Sequence, residues 1–102
     1  MTFAIITRDK NDHTAVREAF QNEHRRYLAK HKDILLAAGA MLNDNETGAH
    51  GGVLLVEANS REQVEEFVAN DPFQREGLFG ELLITKWRKA FFDFDCLVPL
   101  DQ

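Results

Sequence analysis

A single cysteine, Cys96, occurs in the chain, so no intramolecular disulfide can staple the fold. That fits a reducing compartment, and with no nucleophile motif around it Cys96 reads as a packed free thiol. Basic charge is also in short supply, since 12 Lys and Arg face 17 Asp and Glu for a net charge of −5. With no basic run interleaved with aromatics, a nucleic-acid surface is excluded. No stretch approaches the roughly 20 apolar residues that a membrane span needs. Met1 to Asp9 lacks the charged region, apolar run and cleavage site of a secretion signal, so the expected location is the cytosol. Metal motifs are missing as well. His24 and His31 lie two turns apart, about 10 Å of rise, and cannot hold one ion together. There is no Cys-x-x-Cys, no nucleophile elbow, and Gly51-Gly52 alone is too weak for a phosphate loop. The chain is therefore expected to work without metal or cofactor.

What remains is a pattern of alternating elements in 102 residues, the length of one domain, with no repeat or linker. Phe3 to Thr7 reads as a first strand. From Thr14 to Ala38 apolar residues recur at three and four residue steps, which predicts one long amphipathic helix stopped by Gly39. A short strand around Ala40-Met41-Leu42 follows, then a polar loop from Asn43 to Gly52. Val53-Leu54-Leu55-Val56 is the next strand, and its unbroken apolar run predicts cover on both faces. Ser60 and Gln63 have the spacing of a capping box and open a second helix, with Val64, Phe67 and Val68 on its apolar face. Leu82 to Trp87 is the last strand. The tail from Phe91 to Val98 is too apolar to stand in water and must pack on this subunit or on a partner. The order β-α-β-β-α-β is the ferredoxin-like α+β pattern, an antiparallel sheet with both helices on one face. A second copy related by two-fold symmetry is the simplest cover for the other face, so a homodimer is expected.

Two residues stand out for chemistry. On the first helix His24 and His31 fall inside the apolar arc, with Arg17 at its edge. An inward imidazole needs a hydrogen-bond partner, because stranding a buried polar group costs about 1 to 3 kcal/mol. His31 reads as a satisfied core histidine. Downstream, Asn70-Asp71-Pro72-Phe73 and Gly77-Leu78-Phe79 first of all mark a helical turn, with Asp71 as N-cap, Pro72 in the first position and Gly77 ending it.

At this point the sequence resembles the YCII-related family of small dimeric α+β barrel proteins. The resemblance is carried by His24 with Tyr27 and Leu28, Leu36-Ala37-Ala38-Gly39, Gly52, Ser60, Asn70-Asp71-Pro72-Phe73, Gly77-Leu78-Phe79, and Ile84 with Trp87-Arg88. It implies an active site that pairs a histidine with an aspartate, here His24 and Asp71, and a homodimer whose sheets pack face to face. Most members have no assigned reaction, and one related activity is cofactor-free removal of chloride from a chlorinated hydroxyhydroquinone. Two positions depart from the pattern. Gln21 replaces an Arg common three residues before the histidine, and Ala40 replaces a Pro after the glycine.

The pairing gives His24 the role of proton carrier. Asp71, ionised as an N-cap, orients the imidazole and stabilises its charged form. Such chemistry suits an isomerase, a lyase or a dehydrohalogenase acting on a small cyclic or aromatic metabolite. Tyr27, Phe73, His50 and Trp87 are the candidate substrate-binding residues, with Phe20 and Phe79 as further apolar lining, although each aromatic suits a core as well. The alternative is a non-catalytic small-ligand binding or accessory protein that uses the same pocket. An open cleft beside the pair, or a sealed core around it, separates the site from mere packing.

Overall fold

The computed structural model describes residues 1–101. Strand β1 (Thr2–Asp9) leads into helix α1 (Thr14–Lys30), β2 (Leu35–Leu42), β3 (Ala49–Glu57), helix α2 (Arg61–Ala69), the single turn α3 (Pro72–Arg75) and β4 (Phe79–Lys86). A two-stranded hairpin, β5 (Phe91–Phe92) with β6 (Asp95–Cys96), follows. The main sheet has the order β2-β3-β1-β4 and is antiparallel throughout, which is the ferredoxin-like α+β arrangement.

Alternation along β1 sets the layers. Phe3, Ile5 and Thr7 point to the helix-covered face and are buried. Phe3 and Ile5 join Leu54, Val56, Val64, Phe67 and Val68 in one core, with Tyr27, Leu28 and Ile34 packed around it. Ser60 caps α2 by accepting from the Gln63 amide, and the Gln63 side chain returns a bond to the Asn59 amide. The reciprocal bond of the capping box thus lands one residue before the cap.

The first helix is shorter than its periodicity predicts. It stops at Lys30, residues 31–34 form turns, and Leu35–Leu42 is a strand rather than the end of a helix closed by Gly39. Ile34, Leu35 and Ala38 keep helical phase with the residues before them, but β2 pairs along nearly its whole length with β3. A ladder of tertiary hydrogen bonds here outweighs a local periodicity that fits both structures.

The outer face of the sheet carries an apolar row. Val53, Ile6 and Leu83 are register partners across three strands, and all three are exposed in the single chain. Within one chain β3 is covered on the helix side alone. In the tail Phe94 stands at full exposure at the tip of the hairpin, so this subunit does not cover it, and Cys96 is exposed rather than packed. No helix among the described residues is long and apolar enough to cross a membrane.

Close approach of β1 to β3 requires glycine at position 51. A Cβ there would collide with the Thr7 carbonyl oxygen and with the Met41 methyl group. Gly51→Ala is therefore expected to lower stability by about 1 to 3 kcal/mol, read as a reduced urea midpoint with unchanged slope.

Candidate active site

The turn at Asp71 is built from its residue types. Asp71 has extended backbone, its carboxylate accepts from the Phe73 amide at 2.9 Å, and Pro72 takes the first helical position. Gly77 then adopts a positive φ of 75°, which lets the Leu78 amide return to the Phe73 carbonyl at 2.9 Å. This closed turn packs on α1 and brings its N-cap to the helix. There His24 Nδ1 lies 2.8 Å from Asp71 Oδ1. The carboxylate is buried at 4% exposure, so one oxygen serves both the backbone cap and the imidazole. Phe73 adds a third contact, stacked on the imidazole with ring centroids 4.1 Å apart.

Nδ1 is thus committed to the carboxylate, while Nε2 makes no hydrogen bond among the described residues. His24 itself lines an open cleft of about 450 Å³ between α1 and the sheet. The cleft exists because sheet positions opposite the helix are small. Ala38 pairs with Leu54 and Ala40 with Gly52 on the helix side, leaving a floor of methyl groups and bare backbone. Leu28, Leu54 and Phe79 provide apolar walls. Gln21 also lies on the wall, its side-chain amide against the Arg25 guanidinium.

Of the sequence candidates, His24, Asp71 and Phe73 come together. Tyr27 does not line the cleft. Its ring packs against Phe67 and His31, and its hydroxyl donates to the Phe67 carbonyl at 2.7 Å. Burial, with the charges of Asp71 and Glu66 behind it, pushes the Tyr27 hydroxyl up to about 12. Because the neutral form is favoured in the folded state, the stabilisation is complete below pH ~10 and is lost as pH climbs toward the raised value. Tyr27→Phe should cost about 1 kcal/mol near neutrality and flatten the alkaline loss of stability, as measured by melting against pH. His50 sits on β3 and Trp87 just beyond β4, where its amide donates to the Thr2 carbonyl at 2.9 Å. Neither reaches the cleft formed by one chain.

Sequence reasoning missed an ion pair. Arg17 donates to Asp9 through Nε at 2.6 Å and Nη2 at 3.0 Å, and both side chains are nearly buried. Its guanidinium also lies over the Phe73 ring, 4.9 Å from the centroid. The signal was present, since Arg17 is two helical turns before His24 on the same stripe. Among the described residues no three His, Cys, Asp or Glu side chains are grouped to hold a metal ion.

Among curated proteins no sequence match is found. A solved structure of 5-chloro-2-hydroxyhydroquinone dehydrochlorinase from Burkholderia phenoliruptrix AC1100, in complex with 2,5-dihydroxybenzoquinone, is similar at 30% identity and TM-score 0.81, covering 86% of this chain and 94% of that one. A protein from Bacteroides thetaiotaomicron matches at 10% identity and TM-score 0.56, with 99% and 95% covered, and shares the fold alone. An antibiotic biosynthesis monooxygenase matches at 13% identity and TM-score 0.50, with 86% and 99% covered, again as fold. The YCII-related domain profile matches residues 1–88. The chain belongs to the YCII-related domain family, with a fold of the dimeric α+β barrel type.

Proposed function

We propose that this protein is a cofactor-free enzyme that moves protons on a small oxygenated ring, with His24 as the proton-transfer residue and Asp71 as its orienter. The observation that carries the reading is the 2.8 Å bond from His24 Nδ1 to Asp71 Oδ1 beside an open cleft. With Nδ1–H donated to the carboxylate, Nε2 holds the free lone pair and can act as base and then as acid. Asp71 stabilises the imidazolium that forms in between. A volume of about 450 Å³ with apolar walls suits one substituted six-membered ring.

Likeness to the dehydrochlorinase supports elimination of hydrogen chloride as the reaction class. On a chlorinated polyhydroxybenzene the steps balance without an oxidant. His24 takes a proton from one ring hydroxyl and returns it to the carbon bearing chlorine, giving the keto tautomer. A second hydroxyl then loses its proton, its electrons move through the ring, and chloride departs with the carbon–chlorine pair. The products are a hydroxyquinone and HCl. Anaerobic incubation with 5-chloro-2-hydroxyhydroquinone should release chloride above the uncatalysed background. Ligand binding without any chloride release or ring isomerisation would leave a binding protein instead.

The reading includes a homodimer. The exposed row Val53, Ile6 and Leu83 and the protruding hairpin with Phe94 support it. So does a radius of gyration of 14.8 Å, against about 13 Å for a compact chain of this length. Light scattering at micromolar concentration should return twice the 11.7 kDa chain mass, and a monomeric mass would refute the dimer.

A further inference from the structure

Phe73 touches more of the site than its place in the α3 turn requires. Its ring is stacked on the His24 imidazole, with planes 14° apart and centroids separated by 4.1 Å. The Arg17 guanidinium carbon lies over the same ring, 4.9 Å from its centroid. Arg17 and His24 are two turns apart on α1, about 10 Å of helix rise, and one aromatic ring fits the interval between their side chains. Phe79 meets that ring edge-on, with centroids 6.3 Å apart. So enclosed, Phe73 is 2% exposed and offers no free face on which a substrate could stack, although it borders the cleft. Arg17 is in turn held from the sheet. Asp9 on β1 accepts from Nε at 2.6 Å and from Nη2 at 3.0 Å, and the Gly51 carbonyl on β3 accepts from Nη2 at 3.4 Å. Contacts therefore run without a break from β1 and β3 through Arg17 and Phe73 to the imidazole.

We infer that Phe73 is a positioning residue for His24, and that the Asp9–Arg17 pair acts through Phe73 by fixing its ring. The inference rests on reading His24 as the proton-transfer residue. The 2.8 Å bond to Asp71 ties down Nδ1, but one bond leaves the imidazole free to rock about it, and Nε2 swings with the ring. A phenyl face parallel to the imidazole removes that freedom. A reacting group has to be held within about 10 to 20° of its productive orientation by side chains that are themselves locked. Arg17, planar and bound through two nitrogens, is such a lock, where a lysine would present one mobile charge. A nearly buried ion pair adds little net stability over apolar residues of similar size, and positioning gives this pair another use.

Phe73→Leu tests the assignment without touching the bond it supports, because the Asp71 carboxylate is capped by the backbone amide of residue 73. Carbon-13 relaxation of the His24 ring should give a wild-type order parameter near that of rigid backbone, about 0.85, and a fall to about 0.6 or below in Phe73→Leu. Phe73→Tyr keeps the stacked face and should hold the wild-type value. Asp9→Asn with Arg17→Met, changed together so that no buried charge is stranded, should lower the order parameter when Phe73 is present and change nothing further in Phe73→Leu. With 5-chloro-2-hydroxyhydroquinone, kcat per folded molecule should fall at least about tenfold in Phe73→Leu at unchanged KM, since a misplacement of about 1 Å costs up to about 10²-fold. An unchanged order parameter in Phe73→Leu, a raised KM with kcat intact, or a mobile imidazole with wild-type kcat each overturns the inference. If Phe73→Leu fails to fold, the Asp9→Asn/Arg17→Met protein carries the same measurements. The two readings fail separately. A mobile imidazole in Phe73→Leu, with no turnover by the wild type, removes the enzyme and keeps the positioning. Turnover that needs His24 but survives Phe73→Leu does the reverse.

Discussion

Replacing His24 with Ala is expected to reduce turnover by about 10² to 10⁴, the usual contribution of a positioned acid/base group. Melting temperature should move little. The imidazole borders an open cleft, so its removal enlarges that cleft rather than creating a sealed void. Asp71 loses one partner but keeps the Phe73 amide, and the buried carboxylate is not stranded. A histidine that merely filled a core would behave otherwise, costing several kcal/mol through cavity and unpaired acceptor together. Rates per folded molecule, measured beside thermal melts of the same samples, separate the two.

Asp71→Asn is the complementary change. Asn caps a helix about as well as Asp, and its amide oxygen can still accept from the Phe73 amide, so the α3 turn and the melting temperature should survive. Activity should fall by about 10²-fold or more, because a neutral amide stabilises the imidazolium poorly and can select the wrong tautomer. Asp71→Ala removes cap and orienter together. It should add a stability loss of about 1 kcal/mol to the same loss of rate. Normal rates in Asp71→Asn would show that the carboxylate matters as a cap only.

The turn residues made the α3 turn legible from sequence, whereas the pairing of His24 with Asp71 was implied by the family resemblance. Asp71, Pro72 and Gly77 each have a local backbone preference that the fold uses unchanged, and the helical phase of His24 turned it inward. The end of α1 was not legible, because Leu35 to Leu42 carries no Gly or Pro before position 39 and its apolar spacing satisfies helix and strand alike. Pairing with β3 decides it, and that is a non-local event. Tyr27 shows a related limit. An aromatic on the apolar stripe fits core and cleft equally well, and its hydroxyl found the Phe67 carbonyl, a partner on α2 that spacing cannot foresee. The Arg17–Asp9 pair was hidden for a similar reason, since α1 folds back over the end of β1 to join them. Thr7 was readable in principle, as it alternates with Phe3 and Ile5 on the core face.

The proton-carrier role of His24 depends on one tautomer, with hydrogen on Nδ1 toward Asp71 and a free lone pair on Nε2 toward the cleft. Nitrogen-15 NMR of the His24 ring near neutral pH reads that directly. The account predicts a protonated, pyrrole-type Nδ1 and a pyridine-type Nε2 that shifts when a phenolic ligand enters the cleft. A pyrrole-type Nε2 in the neutral ring, or an Nε2 signal indifferent to a ligand that demonstrably binds, would contradict it.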